Sequence, residues 1–346
     1  GKREPILRVE NLNVRYRTLL GTVKAVNNVT FDLYPGEVLG LAGESGCGKT
    51  TLGLTLMRLL PNNGYVESGR ILIDGIDVLK LKESEVREIR WKKISMIFQG
   101  AMNALNPVFK VGDQIAEVLE YHEGIPKKEA LERVKEMFIK VGLDPDRINN
   151  YPHQFSGGMK QRAVIAMALI LKPPVVIADE PTTALDVTIQ AQILELLKSL
   201  QREYKMSFIY ITHDLAVLAQ IATKVGIMYA GYLIEYGDVL SIYKKPIHPY
   251  TKGLIGSVPS ISRVKEAKKK KIRLFSIPGA PPDLRKLKNQ CPFADRCPIA
   301  KKEEICWQKI PEIQEVDGRK VRCFFAEELK DVSPYEFWEE YGGDNK

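Results

Sequence analysis

The chain has 346 residues, 45% of them hydrophobic and 27% charged, with a formal net charge of +8. That is longer than a typical single domain of ~100–200 residues and implies one large domain with an appendage. The longest unbroken apolar run, Ala163 to Leu171, is about half the ~18 residues a membrane span requires. No stretch has the layout of a signal peptide, so the chain is expected to work in the cytoplasm. The positive balance suits work beside an anionic inner leaflet. Without a helix-turn-helix, zinc-finger or RNA-binding signature it does not predict a nucleic-acid partner.

In chain order, "EVLGLAG" (Glu37 to Gly43) is an apolar run ending in glycine, the pattern of a buried parallel strand. "GESGCGKT" (Gly43 to Thr50) follows it and leads into "LGLTLMRLL", which predicts a helix. Between Val111 and Asn150 the pattern turns helical and polar, with Pro126 placed to start a helix. "FSGG" (Phe155 to Gly158) closes that insert, which is expected to form a helical subdomain of about residues 100–160. "PVVIAD" and "SFIYITH" read as two more buried strands. Between them Ile189, Ile193, Leu196, Leu197 and Leu200 fall at helical spacing. Strands alternating with helices imply a doubly wound α/β core. After Ser257 the composition shifts to a lysine-rich run (Arg263 to Arg273), "IPGAPP", and four of the five cysteines. The expected division is therefore 1–257 and 258–346.

"GESGCGKT" matches G-x-x-x-x-G-K-[ST] in the strand–helix context that the motif demands. Backbone N–H groups from Gly43 through Glu44, Ser45, Gly46, Cys47 and Gly48 to Thr51 are placed to cradle phosphates. Lys49 is placed to reach the β/γ oxygens, and the Thr50 hydroxyl to ligate Mg²⁺. Cys47 reads as a small residue filling a tight turn. Asp179 and Glu180 end an apolar strand, where a carboxylate pair is exposed only at the active end. Asp179 is placed to hold Mg²⁺ through water, and Glu180 to polarise an attacking water. His213, after the next strand, is placed to contact the γ-phosphate. Ser156, Gly157 and Gly158 open a helix in the manner of a second anion binder.

Taken together, "GESGCGKT", "IFQ" with Gln99, "FSGGMKQR", "IADEP", "TALD" with Asp186 and "ITHD" resemble the ordered motifs of ATP-binding cassette (ABC) ATPases over roughly Leu7 to Pro259. The resemblance implies a P-loop core of mostly parallel sheet, an N-terminal antiparallel β part and a helical subdomain, with ATP and Mg²⁺ as cofactors. It also implies that Tyr16 stacks on adenine, that Gln99 touches Mg²⁺, and that Asp186 belongs to the ATP site. The signature departs from the common L-S-G-G-Q at Phe155 and Met159. By the family's pattern, "FSGG" completes the ATP site of a facing subunit, so that two domains close head to tail over two nucleotides.

Within the family, "LGLAGESGCGKTTLGLTLMRLLP", "MNALNPVFKVGDQIAE", "TTALDVTIQAQIL", "IHPYTKGLIGSVP" and "SIPGAPPDL" resemble the D-type ATPase subunit of dipeptide/oligopeptide importers. That implies a heterodimer with an F-type paralogue, two membrane permeases, an extracytoplasmic solute-binding protein, and a location on the inner face of the membrane. Nickel and oligosaccharides are the alternative solutes of this subfamily, and a soluble cassette protein is the alternative class. Cys291, Cys297, Cys306 and Cys323 are spaced C-x5-C-x8-C-x16-C. In a cytosolic chain that bunching argues for metal over disulfides, and no close C-x2–4-C zinc pair occurs. A [4Fe–4S] cluster, zinc and no metal remain open on spacing. The resemblance of "CPFADRCP" to the subfamily's C-terminal segment implies the cluster.

Overall fold

The computed structural model describes residues 3–44, 46, 48–100, 103–258 and 276–340. Two residues of the P-loop, Ser45 and Cys47, and the lysine-rich run lie outside them. The described strands are β1 (Leu7–Thr18), β2 (Gly21–Leu33), β3 (Val38–Ala42), β4 (Gly64–Ile73), β5 (Ile76–Asp77), β6 (Ile94–Ile97), β7 (Val175–Asp179), β8 (Ser207–Ile211), β9 (Lys224–Tyr229), β10 (Tyr232–Asp238), β11 (Gln314–Val316) and β12 (Arg319–Val321). The helices up to residue 257 are α1 (Lys49–Leu56), α2 (Glu83–Ile89), α3 (Val111–Glu123), α4 (Lys127–Lys140), α5 (Gly157–Leu169), α6 (Val187–Tyr204), α7 (Leu215–Ile221), α8 (Val239–Lys244) and α9 (Pro249–Ser257).

Among the described residues two sheets form. One is antiparallel in the order β2-β1-β4-β5, and the other runs β11-β12-β10-β9-β3-β8-β7-β6. In the larger sheet β9, β3, β8, β7 and β6 are parallel, while β10, β12 and β11 extend one edge antiparallel. The parallel strands are buried along nearly their whole length and mostly apolar because both of their faces are covered. Along β7, Val175 and Ile177 join one core while Val176 and Ala178 join the other. Along β8, Ile209 and Ile211 face the first core, and Phe208 and Tyr210 the second. The first core is closed by the antiparallel sheet (Leu7, Val9, Phe31, Ile71) and by Leu52 and Leu56 of α1. The second is closed by the helices and by residues of the C-terminal segment. Each such buried aliphatic or aromatic side chain contributes about 1.5–3 kcal/mol of transfer free energy.

The antiparallel sheet keeps Leu7, Val9, Leu12 and Val14 on one face even though Val9 and Leu12 are three apart. A bulge makes the correction: the register of β1 shifts between Val9 and Leu12, and Asn11 sits at φ 46. An extra residue in the left-handed region restores the inward face. The helical insert follows its sequence pattern. Val111, Ile115, Ala116 and Leu119 of α3 are buried, as are Ala130, Val134, Met137 and Phe138 of α4. Pro126 is the residue that precedes α4, with φ −64.

The segment after residue 276 is stitched into the main body. β12 pairs with β10 through Glu235–Val321 and Tyr236–Lys320. Lys252 of α9 is fully buried, and its ammonium donates to the carbonyls of Pro246, Leu329 and Val332. Trp338 Nε1 donates to Pro249 O at 3.2 Å. No described helix is long and apolar enough to cross a membrane.

Candidate active site

β3, β7 and β8 end side by side, so the residues that follow their carboxyl ends converge, the usual position for a ligand crevice in an open α/β sheet. They line a cavity of about 670 Å³ with Tyr16, Val23, Ala25, Glu44, Gly46, Gly48, Lys49, Thr50, Thr51, Gln99, Asp179, Glu180, Thr183, Ile211, His213 and Leu284 around it. Gly48 stands at φ 98, and a Cβ there would meet Ala25 O at 2.3 Å. The turn into α1 therefore requires glycine at this point. Lys49, the first residue of α1, is buried, and its Nζ donates to Gly43 O at 2.7 Å. Gly43 thus serves the loop as the lysine's acceptor.

The Thr50 hydroxyl donates to Asp179 Oδ2 at 3.1 Å. Asp179 is 2% exposed, and burial pushes its carboxyl up to about 6 against the pull of Thr50 and Lys49. Its other oxygen, Oδ1, is buried without a hydrogen-bond partner. A desolvated carboxylate with one orphan oxygen, one hydroxyl beside it and an amide nearby is an oxygen donor set of the kind that suits Mg²⁺. Asp179, Thr50 and Gln99 therefore fit the expected metal.

Glu180 follows Asp179 at φ 43, with its N–H bonded to Ile211 O at 2.8 Å. A non-glycine residue in the left-handed region carries strain that neighbours must fix. Here the neighbours are Gln99, whose Nε2 donates to Glu180 Oε2 at 3.0 Å, and His213, whose Nδ1 lies 2.8 Å from Oε1. The carboxylate is held from both sides at the mouth of the cavity. Tyr16 reaches the same cavity from β1, with its hydroxyl 3.1 Å from Thr51 Oγ1.

Ser156, Gly157, Gly158 and Asp186 do not line this cavity. Ser156 caps α5, its Oγ accepting from Met159 N at 3.3 Å. Ser156 and Gly157 are exposed, whereas Gly158 is buried against Ile189. Asp186 caps α6, its Oδ1 accepting from Ile189 N at 2.9 Å. Within one chain, then, Ser156 and Gly157 lie exposed at the start of α5, outside the cavity.

Two contributors were not legible in the motifs. Leu284, from the C-terminal segment, joins the cavity wall, and its carbonyl accepts from Lys24 N at 3.0 Å. Arg296 forms a two-pronged ion pair with Glu44 of the P-loop, at 2.8 and 3.0 Å. No local pattern links residues 252 positions apart.

The four late cysteines come together. Cys291, Cys297, Cys306 and Cys323 are all buried and unpaired, and they share the lining of a cavity of about 10 Å³ with His248 and Phe293. Burial pushes the Cys291 and Cys297 thiols up to about 12 and raises Cys306 and Cys323 as well. As placed, no group of three or more His, Cys, Asp or Glu side chains among the described residues is close enough to hold a metal ion.

The ABC transporter family matches residues 26–183, and the family described as oligopeptide/dipeptide transporter, C-terminal region, matches residues 234–306. The chain is 49% identical over 329 residues to the dipeptide transport ATP-binding protein DppD of Bacillus subtilis, an alignment covering 94% of this chain and 96% of the relative. This chain belongs to the ATP-binding subunits of the dipeptide/oligopeptide ABC transporters. The oligopeptide transport ATP-binding protein OppD of Escherichia coli is 45% identical over 323 residues, 93% of each chain. Among solved structures, the dimeric ABC cassette MJ0796 bound to ADP and Pi in a post-hydrolysis state is similar, with a TM-score of 0.60 and 28% identity. That similarity covers 67% of this chain and 98% of the other. As an ABC transport ATPase, the chain has its hydrolytic machinery in the fold that the ordered motifs implied.

Proposed function

We propose that this subunit binds ATP–Mg²⁺ in the cavity above β3, β7 and β8 and hydrolyses it across a seam with a facing subunit, driving uptake of di- and oligopeptides. Lys49 and the loop N–H groups hold the phosphates, while Thr50, Asp179 and Gln99 hold Mg²⁺. Glu180 orients and deprotonates the attacking water, and His213 contacts the γ-phosphate. Ser156, Gly157, Gly158 and Asp186 complete the site of the partner. The observation that carries this reading is the split itself: Glu180 is clamped at an otherwise furnished cavity, while Ser156 and Gly157 lie exposed at a helix start outside it. A helix N-terminus donates to an anion, and in this reading the facing subunit brings it. The partners in this reading are an F-type paralogue, two permeases and an extracytoplasmic solute-binding protein, with this subunit peripheral on the inner face of the membrane.

Removing the chain from its native cells is expected to abolish uptake of labelled di- and oligopeptides. Tagged chain is expected to co-purify with two membrane permeases. Fractionation with ribosomes or DNA would overturn the transporter reading. Loss of nickel or oligosaccharide uptake alone would overturn only the peptide assignment.

Cys291, Cys297, Cys306 and Cys323 are further proposed to hold a [4Fe–4S] cluster, a four-thiolate staple for a segment short of regular structure. Support comes from four buried thiols lining one cavity. A cavity of about 10 Å³ holds roughly one water, so the segment must rearrange to admit a cluster, and the buried thiols must give up their protons. Protein purified without oxygen is expected to be brown, with iron and sulfide in equal amounts. Colourless protein with stoichiometric zinc decides for zinc instead.

A further inference from the structure

The P-loop is gripped by residues more than two hundred positions further along the chain. Glu44, its second residue, has its backbone N–H bonded to the Tyr250 hydroxyl at 2.8 Å. Its carboxylate takes both prongs of the Arg296 guanidinium. Arg296 is 9% exposed and also donates through Nε to Pro278 O at 2.8 Å. Tyr229, Tyr250 and Phe293 cluster beneath the pair: Tyr229 meets Phe293 edge to face at a centroid separation of 5.1 Å, and Tyr250 is tilted against both, at 4.7 and 5.6 Å. From the same segment, Leu284 closes the cavity beside Val23 and Ala25. The C-terminal segment therefore reaches the nucleotide cavity twice, at the loop that binds phosphate and on the wall near Tyr16.

A carboxylate at the edge of a triphosphate site repels the ligand unless it is neutralised, because like charges a few ångströms apart interact strongly at the dielectric of a partly buried site. A planar guanidinium meeting both oxygens neutralises the charge and fixes the backbone that carries it. Gly43, the residue before Glu44, is the acceptor for Lys49. Holding Glu44 therefore also holds the geometry of the phosphate-binding lysine.

We propose that the segment from Pro278 to Arg296 is a working wall of the nucleotide site, with Arg296 as the positioning residue that holds the P-loop through Glu44. This rests on the reading that ATP occupies that cavity. Nucleotide binding and order in the C-terminal segment are then reciprocally linked.

The test is ATP affinity of the whole chain, measured by fluorescence titration with a labelled nucleotide, for R296A, E44A and the double variant. R296A is expected to weaken binding roughly tenfold or more, because it leaves a carboxylate unneutralised beside the triphosphate. E44A, which removes that carboxylate along with the grip, is expected to weaken it less. The double variant is expected to bind no more weakly than either single. In the assembled transporter, R296A is expected to raise KM for ATP while kcat at saturation stays within about twofold, and R296K is expected to recover part of the loss. Unchanged affinity in folded R296A, or losses in the two singles that multiply, would overturn the proposal. Should R296A fail to fold, hydrogen exchange in the unaltered protein answers the same question. Peptides spanning 277–297 are expected to gain protection on adding ATP–Mg²⁺, and no change there would overturn it. An unaltered chain that binds no ATP would instead overturn the P-loop reading beneath it.

Discussion

Glu180→Gln is expected to leave ATP binding intact while lowering steady-state hydrolysis by roughly a hundred- to ten-thousandfold, the usual worth of a positioned general base. The substitution is nearly isosteric. The amide oxygen can still accept from Gln99 Nε2, now 3.0 Å from the carboxylate, and the strained backbone at φ 43 is untouched. What is lost is the capacity to take a proton from water. Lys49, Thr50 and Asp179, which bind the phosphates and the metal in this scheme, do not contact the altered group. Binding and turnover should therefore separate, with single-site ATP affinity within about twofold of the parent and the ATP-loaded assembly persisting. Turnover equal to the parent's would remove Glu180 from the role.

The second large effect is expected at a residue that touches nothing in its own cavity. Ser156→Asp preserves the cap of α5, because an aspartate oxygen accepts from the Met159 N–H as the serine oxygen does, and aspartate caps helices as well as serine. The lone chain should fold normally and bind ATP with unchanged affinity. In the assembled transporter the same change sets a carboxylate against the partner's γ-phosphate where N–H and O–H donors belong. Hydrolysis should fall by about a hundredfold or more, the scale seen when one donor of an anion hole is lost. Equal loss of ATP binding by the isolated chain would mean that Ser156 acts inside its own cavity after all.

Much of this site is readable from residue order because it sits at the ends of short apolar strands. β3, β7 and β8 each fall inside the runs Glu37–Gly43, Pro174–Asp179 and Ser207–His213, and their functional residues follow directly. Helix α6 is likewise readable: Ile193, Leu197 and Leu200 are buried at the expected spacing, with Ile189 and Leu196 at the margin of the core. The antiparallel sheet could be inferred only from family resemblance. Its first strand breaks the two-residue period at the Asn11 bulge, so the alternation that marks a half-buried strand is interrupted. The C-terminal segment was legible as a change in composition but not as part of the larger sheet. β11 and β12 have three residues each and gain their place because β12 pairs with β10, about eighty positions upstream, and β11 pairs with β12. The Arg296–Glu44 pair and the Leu284 wall were hidden for the same reason: they are long-range contacts, and the stretches that hold these residues carry no signal of what each one meets across the chain.

The signature at Ser156 is where sequence and structure carry the most weight together. The sequence offers a phosphate-binding turn beside a complete P-loop, and the fold places the two apart within one chain. The most direct measurement is a structure of the assembled transporter carrying Glu180→Gln with ATP and Mg²⁺ bound, read at a single distance. Ser156 Oγ or the N–H of Gly158 is expected within about 3 Å of the γ-phosphate held by the facing subunit's P-loop. Ser156 turned to solvent, far from every triphosphate in that closed state, would contradict a nucleotide shared across the seam.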